Sequence, residues 1–306
     1  MKKVSVITVN FNQHSVTEAF LDSIAANENL DELQIIVVDN GSRINHVPEW
    51  IKKYPYVNFM RSEINLGFAG GNNLALAEAE GDYLFFVNND TEVTSGLVEK
   101  LVNILDRHPV VGMVSPKIRY HDQPSLIQYA GFTSMNFYTC RNECIGQFEE
   151  DKGQYDSAAG QTGYIHGAAM MVRRTAIEKA GPMAENFFLY FEEIDWCERI
   201  KRAGFEIWIE PRALIYHKES ASVGAKSALK EYFMIRNRIL FMRRNAPLLA
   251  KIIFTLHFCI LVIPRNIINY ILQKRSDLTP WLFKAVWWNL KNNTDSMNSG
   301  FPINKI

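Results

Sequence analysis

Apolar residues in this 306-residue chain fall into short runs in its first third and longer ones toward its end, and run length alone predicts most of the elements. Val4 to Val9 alternates little and is β-branched, as a strand covered on both faces should be. Leu33 to Val38, Val57 to Arg61 and Tyr83 to Val87 are three further strand runs. Between them, helical periodicity covers His14 to Ala26, and the turn Gly67-Phe68-Ala69-Gly70-Gly71 opens a helix through Glu80. Strand and helix alternate over the first 118 residues, the βαβ rhythm of a parallel, doubly wound sheet.

Beyond Pro116 the rhythm gives way to a polar stretch reaching Gly163, read as a variable loop or small subdomain. Ile165 to Val172 returns to strand character, Ile194 to Ala203 is a helix closed by Gly204, and Glu206 to Ile209 and Ala213 to Tyr216 are two more strands. A long helix is expected over Ala225 to Arg244. After it, Ile252 to Ile263 is nearly continuous apolar sequence, too short to span a bilayer, which takes about 20 residues. Two readings stay open for this region: a helix lying in a membrane interface, extended by Trp281, Phe283, Trp287 and Trp288, or a helical cap packed on the sheet. The organisation expected is a first domain over 1–223, divided into halves 1–118 and 119–223, followed by a helical region over 224–306.

Charge sharpens that division. Lys plus Arg and Asp plus Glu both number 33, yet 13 basic and 3 acidic residues lie from Gly224 onward, leaving 20 and 30 before it. A basic tail interleaved with apolar runs points to anionic lipid and away from nucleic acid. Cys140, Cys144, Cys197 and Cys259 form no CxxC pair and have no histidine at zinc-ligand spacing, so free thiols are expected. Met1-Lys2-Lys3 precedes too short an apolar run for a signal peptide, and Asn10 and Asn12 end it, which predicts a cytoplasmic protein.

Candidate chemistry sits at three acidic stations. VVDN (Val37 to Asn40) and FVNND (Phe86 to Asp90) place carboxylates at the carboxyl ends of predicted strands, where open α/β sheets bind their ligands. YFEEIDW (Tyr190 to Trp196) puts Glu192, Glu193 and Asp195 at the start of a predicted helix, an expensive cluster unless a metal, a proton or an acceptor group uses it. The pattern fits an enzyme acting on a nucleotide and a second substrate.

Taken in order, SVITVNFN, VVDNGS, NLGFAGGNN, FVNND, GAAMMVRR and YFEEIDWCERIKRAG resemble the inverting family 2 glycosyltransferases of GT-A fold. Within that family the likeness is greatest to the bacterial rhamnosyltransferase-type enzymes that build cell-surface polysaccharides. It covers roughly residues 4 to 220 and, more loosely, YFMIRNR at Tyr232 to Arg238. The resemblance implies an α/β GT-A fold, a mostly parallel doubly wound sheet of nucleotide-binding type with a C-terminal helical appendage. It also implies transfer of a sugar, rhamnose favoured, from a dTDP- or UDP-linked donor to a hydroxyl of a glycan or lipid-linked glycan. The enzyme would work in the cytoplasm, peripherally on the inner membrane, with no nucleic-acid partner.

Carried over by position, the resemblance puts Thr8, Asn10 and Asp39 at the base, where a carboxylate accepts the N3 hydrogen of uracil or thymine. Asn72, Asn88 and Asn89 fall beside the nucleotide. The metal station is usually Asp-x-Asp; here it reads Asn88-Asn89-Asp90, leaving Asp90, with His217, to hold Mn²⁺ or Mg²⁺. Glu193 matches the catalytic base, with Glu192 and Asp195 as supporting acidic residues, and Asp195 also stands four before Arg199 as an ordinary surface pair. His166, Gly167 and Ala168 match the sugar or acceptor pocket, and Arg236 matches a segment that meets donor phosphates or a lipid diphosphate. The Arg that relatives carry near Asn72 is missing, so the phosphate grip must come from the metal, from amides or from another cation. Two other functions remain open: a catalytically silent module binding glycan or protein, and a nucleotidyltransferase, although the loop Asn10-Phe11-Asn12-Gln13 lacks the cation such an enzyme uses.

Overall fold

The computed structural model describes residues 3–157, 159–218 and 227–303. The β-branched runs of the first third become β1 (Val4–Asn10), β2 (Leu33–Asn40), β3 (Val57–Ser62) and β4 (Tyr83–Val87), all parallel, in the spatial order β3-β2-β1-β4. Helices α1 (His14–Asn27), α2 (Val47–Lys53) and α3 (Gly67–Leu74) connect them. The third stops earlier than its sequence predicts and passes into a 3₁₀ turn over Ala75–Ala77. Gln34 takes the chain from there, its Nε2 donating to the Glu78 carbonyl at 2.7 Å and its Oε1 accepting from the Glu80 amide at 2.8 Å.

The second half supplies β5 (Thr91–Val93), α4 (Leu97–Arg107), β6 (Val111–Tyr120), β7 (Ile127–Tyr129), β8 (Gly160–Gln161) and β9 (Ala169–Arg173). Then follow α5 (Arg174–Ala180), α6 (Glu192–Arg202) and β10 (Glu206–His217). The main path of the sheet is β3-β2-β1-β4-β9-β6-β10-β5. β9 enters antiparallel to both β4 and β6, while β6 and β10 are again parallel, so the sheet is mixed and its direction changes beside β4. β6 runs straight through Pro116, because β10 bulges opposite it: Glu210 pairs with Pro116 and Leu214 with Lys117. A residue with no N–H is tolerated where the ladder is already broken. The same bulge joins the two strands predicted at 206–216 into one.

Each face of the sheet has its own core. Val6, Val37, Phe20 and Leu101 lie together under α1 and α4, and Ile7, Ile36, Phe86 and Trp196 lie on the opposite side. That second core continues into α7 (Ala228–Asn245) and α10 (Thr279–Lys291) through Tyr232, Phe233, Phe241 and Trp288. Ala225, the predicted start of α7, and the domain boundary at 223/224 lie outside the described residues.

The apolar segment after α7 is longer than the sequence reading gave. α8 (Leu248–His257) and α9 (Ile263–Leu272) join through a π turn at Phe258–Val262 into a 25-residue helical run, Leu248–Leu272, long and apolar enough to cross a membrane. The π turn precedes Pro264, which has no N–H for the carbonyl one turn back. Ala250, Phe254, Phe258 and Val262 recur every four residues on the buried face, while Leu249, Leu256, Ile260 and Leu261 stand exposed. The run is therefore docked along one side and apolar on both.

Candidate active site

Two cavities open at the carboxyl ends of β1, β2 and β4. Val9, Asn40, Asn72 and Asn89 help line the first, and His166, Gly167, Glu193 and His217 the second. Both include Phe68, Asn88, Asp90 and Leu189, so Asp90 stands on the seam between them.

Strand alternation decides which end residues enter the first cavity. Val9 and Asn40 do; Thr8 lies with Val6 and Val37 on the α1 side, fully buried, its Oγ1 without a partner. Thr8 is thus sealed within the sheet and does not reach the cavity where the sequence reading placed it. Asn10 and Asp39 also stand behind the cavity. The Asn10 amide donates to Asp39 Oδ1 at 2.9 Å and Ser42 Oγ at 3.0 Å, and its Oδ1 accepts from Thr17 Oγ1 at 3.0 Å. Asp39, 1% exposed, holds the Arg61 guanidinium on its other oxygen. Arg61 pairs with Asp39 directly across β2 and β3, a neighbour visible only once register is known. Asn72 donates to the Phe68 carbonyl at 2.9 Å and Asn89 to Thr17 Oγ1 at 2.8 Å, which fixes both at the cavity wall. Gly67 has a φ of 75°, and a Cβ there would run into the Phe188 carbonyl oxygen. Close packing against the acidic segment accounts for it.

Asp90 Oδ1 is buried with no hydrogen-bond partner and lies 3.2 Å from His217 Nε2. His217 Nδ1 is 2.8 Å from Gln128 Oε1, which leaves Nε2 as the ring nitrogen turned toward Asp90. A buried carboxylate oxygen without a hydrogen-bond partner beside an imidazole nitrogen is a donor pair that fits a divalent cation, with Gln128 orienting the ring in the manner of metal-site histidines. A carboxylate with a neutral imidazole suits Mn²⁺ better than Mg²⁺. Among the described residues no third His, Cys, Asp or Glu joins them, so further ligands would have to be substrate oxygens and water. His166 packs edge-on to His217, with ring centroids 5.7 Å apart, and its Nδ1 accepts from the Ala168 amide at 3.1 Å. Burial, with His217 adding to it, pulls the His166 pKa down to about 3, so this ring is neutral. Gln128 escaped the sequence reading because β7 lies inside the stretch read as variable loop.

The acidic segment is reached through three left-handed residues, Phe188, Tyr190 and Phe191, with φ of 65°, 69° and 74°. Bulky side chains adopt that conformation only when their surroundings force it. Here α7 does the forcing. Asn237 Nδ2 donates to the carbonyls of Phe187 (2.9 Å), Leu189 (2.7 Å) and Tyr190 (2.8 Å). Arg236 orients that amide by donating from Nε to Asn237 Oδ1 at 2.8 Å, and its Nη2 reaches the carbonyls of Asn186 and Phe187. Arg236 is 0% exposed, between the rings of Phe233 and Trp288, and burial lowers its pKa to about 10. It is a brace inside the protein, not the surface contact to phosphate or lipid that the sequence reading assigned.

The bracing brings Glu193 to the second cavity beside Gly167, where a Cβ would sit 3.6 Å from Glu193 Cγ. Burial pushes the Glu193 carboxyl up to about 7, opposed by backbone amides of the first turn of α6. Glu192 lines the same cavity with Oε2 unpartnered; burial first, then Glu193, push its pKa well above the ordinary range. Asp195 turns away from the cavity and is not the surface residue expected. Fully buried, it accepts from Arg199 Nε (2.9 Å), Arg244 Nε (3.2 Å) and Asn245 Nδ2 (2.9 Å), tying α6 to α7. Lys230, in the first turn of α7, lines the second cavity and brings a cation that no local pattern distinguished from its basic neighbours.

The family model described as "Glycosyl transferase family 2" matches residues 5–181. The chain belongs to this family. A relative, N-acetylglucosaminyl-diphospho-decaprenol L-rhamnosyltransferase of Mycobacterium tuberculosis, is 25% identical over 244 residues, covering 73% of this chain and 78% of the relative. The low-salt glycan biosynthesis hexosyltransferase Agl10 of Haloferax volcanii is 23% identical over 242 residues, covering 78% and 74%. Among solved structures, S. aureus TarS 1-349 in complex with UDP-GlcNAc superposes with a TM-score of 0.60 at 17% identity, over 92% of this chain and 79% of that one. GalNAc-T7 with UDP, GalNAc and Mn²⁺ gives 0.62 at 13% identity, over 79% of this chain and 48% of that one. The GT-A class expected from the sequence is the observed fold.

In this family 2 glycosyltransferase the two cavities gather Asn72, Asn88, Asn89, Asp90, His166, Gly167, Ala168, Glu192, Glu193 and His217. Thr8, Asn10, Asp39, Asp195 and Arg236 lie outside their walls. The bracing of the acidic segment is directly testable. Asn237→Ala removes the donor of three carbonyls and is expected to lower the unfolding free energy by about 2–4 kcal/mol in urea titrations. A loss below about 1 kcal/mol, within the range of an ordinary surface substitution, would mean that the segment is held elsewhere.

Proposed function

We propose that this glycosyltransferase moves a sugar, with inversion, from a dTDP- or UDP-linked donor to a hydroxyl of a lipid-linked glycan, with rhamnose favoured by likeness to the mycobacterial relative. The observation that carries this reading is that Asp90, His217 and Glu193 line one cavity, which opens across Asp90 into another. The first cavity, walled by Phe11, Phe68, Phe188 and asparagine amides, suits a nucleoside. Recognition of the base N3–H by Asp39 requires Arg61, whose side chain is 21% exposed, to leave the carboxylate.

In the second cavity Glu193 takes the proton of the acceptor hydroxyl while that oxygen attacks the anomeric carbon. The bond from this carbon to the diphosphate oxygen breaks, and the diphosphate departs with the electron pair. One base facing the reacting carbon suffices for a single displacement, hence for inversion. Asp90 and His217 would hold the divalent cation, which supplies Lewis-acid stabilisation of the leaving group when bound. Lys230 adds positive charge on the same cavity, in place of the Arg that is missing near Asn72.

A membrane-peripheral position on the cytoplasmic face completes the reading. It is supported by the outward apolar residues of Leu248–Leu272, by exposed Phe283 and Trp287 on α10, and by Lys251, Arg265, Lys284 and Lys291 beside them. Docking of the other face on the body favours a helix lying in the interface over one crossing it.

Three outcomes are expected. Glu193→Gln should lower kcat by about 10²–10⁴ with donor affinity kept, and wild-type turnover should rise through pH 7 as Glu193 loses its proton. Linkage gives the matching stability trend. A pKa raised from 4.5 to about 7 means stability fully present below pH 4.5 and lost as pH rises through 7, so the melting temperature should fall over that window and flatten in Glu193→Gln. A flat pH–rate profile between 6 and 8 would reject Glu193 as base. Second, Asp90→Ala and His217→Ala should each weaken Mn²⁺ binding to the protein–UDP complex, read by electron paramagnetic resonance; wild-type turnover undiminished in EDTA would refute the metal reading. Third, the protein should sediment with phosphatidylglycerol vesicles, less so in high salt and less again in the Leu256→Glu, Ile260→Glu double variant. Sedimentation indifferent to both changes would leave the surface without this role.

A further inference from the structure

Outside the two cavities a third groove runs along the rim, lined by Tyr120, His121, Asp122, Gln123, Leu126, Phe148 and His217. Tyr120 ends β6, and the amide of His121 donates to the His217 carbonyl at 3.1 Å, so the groove begins where β10 ends. His217 lines both this groove and the cavity holding Asp90 and Glu193. The two share His217 as a wall.

The floor of the groove is an aromatic pair. Tyr120 and Phe148 stack with centroids 5.5 Å apart and planes 8° from parallel. A single exposed apolar residue needs no explanation, but Phe148 is 67% exposed and also holds a φ of 66°. Its turn is tied down on both sides: the Phe148 amide donates to the Ile127 carbonyl at 2.9 Å and the Ile127 amide to the Glu149 carbonyl at 2.9 Å. A strained backbone thus keeps a bulky ring in water beside the candidate active site.

The rim is polar and acidic. His121 lies 3.0 Å from Asp122 and 3.4 Å from Glu92 through its two ring nitrogens, and Gln123 adds an amide. Among the described residues no Lys or Arg lines the groove, which disfavours phosphate or another anion. A flat aromatic floor with carboxylate and amide walls matches a neutral pyranose, whose C–H face rests on ring π clouds while its hydroxyls take hydrogen bonds.

We infer that the Tyr120–Phe148 platform binds a sugar ring of the acceptor glycan, one or more residues removed from the reacting hydroxyl. The inference rests on the glycosyl-transfer reading and extends it: the acceptor is an oligosaccharide gripped beyond its reacting unit. Asp122 and Gln123 then set which hydroxyl pattern is accepted.

Saturation-transfer NMR with chitobiose, rhamnobiose and lactose tests it on the full-length protein. Transfer to ring C–H protons of at least one disaccharide is expected. Its apparent affinity should fall about five- to tenfold in Phe148→Gly, which suits the left-handed backbone and so keeps the fold, and return in Phe148→Trp. Transfer to none of the three by the wild type, or equal transfer in Phe148→Gly, would overturn the inference. UDP binding by calorimetry on the same samples reports separately on the donor site: its failure counts against glycosyl transfer, whereas its persistence without a Phe148-dependent saccharide signal counts against the platform alone.

Discussion

One amide on α7 governs the geometry of the catalytic half. The carbonyls of Phe187, Leu189 and Tyr190 converge in directions incompatible with helix or strand, and the left-handed residues of this segment cost of order 1–3 kcal/mol each. Asn237 collects all three carbonyls, and Arg236 holds Asn237 in orientation from a fully buried position. Neither side chain touches a cavity. Both determine where α6 begins, and the first two residues of α6 are the carboxylates that line the second cavity. The C-terminal region is therefore part of the site's construction, since α7 braces the acidic segment while α10 covers Arg236 with Trp288.

Burial of those carboxylates follows from the same construction. Adjacent helical residues point about 100° apart, so Glu192 and Glu193 do not meet face to face, yet both sit where water is scarce. Desolvation is the first cause of both raised pKa values, and for Glu192 repulsion from Glu193 comes second. Asp195, two residues on, would add a third charge to the cavity if it faced the same way. Arg199, Arg244 and Asn245 hold it on the other side of the helix.

The strands of the first half were legible because buried parallel strands carry unbroken apolar runs, and the three acidic stations because charge at strand and helix ends is conspicuous. What failed depended on direction or register. Nothing local distinguishes an antiparallel β9 from a parallel one, since both are buried on two faces. Thr8 and Val9 are equal candidates until the phase of the strand is known, and a shift by one residue exchanges cavity for core. Arg236 reads as a contact to phosphate or lipid because its burial depends on α10, some fifty residues later. Gln128 and Lys230 carried no signal, being single polar residues whose roles arise when distant segments close over the same space. The helical run at Leu248–Leu272 exceeds the apolar run Ile252–Ile263 because a π turn carries the helix past Pro264.

On the proposed reading, charge balance couples donor and cation. Asp90 and Glu193 bring negative charge to cavities whose lining, among the described residues, includes one Lys, and a nucleoside diphosphate brings more. Asp90 and His217 alone, with Asn88 where the family motif usually has Asp, would attract a divalent ion weakly. Donor phosphates would complete its oxygen shell, and the ion in turn would remove the repulsion between phosphates and carboxylates. Each ligand then binds better in the presence of the other, by the same factor in both directions. Asn at position 88 would then shift affinity from the free enzyme to the donor complex, so that the Lewis acid is recruited together with the leaving group it serves.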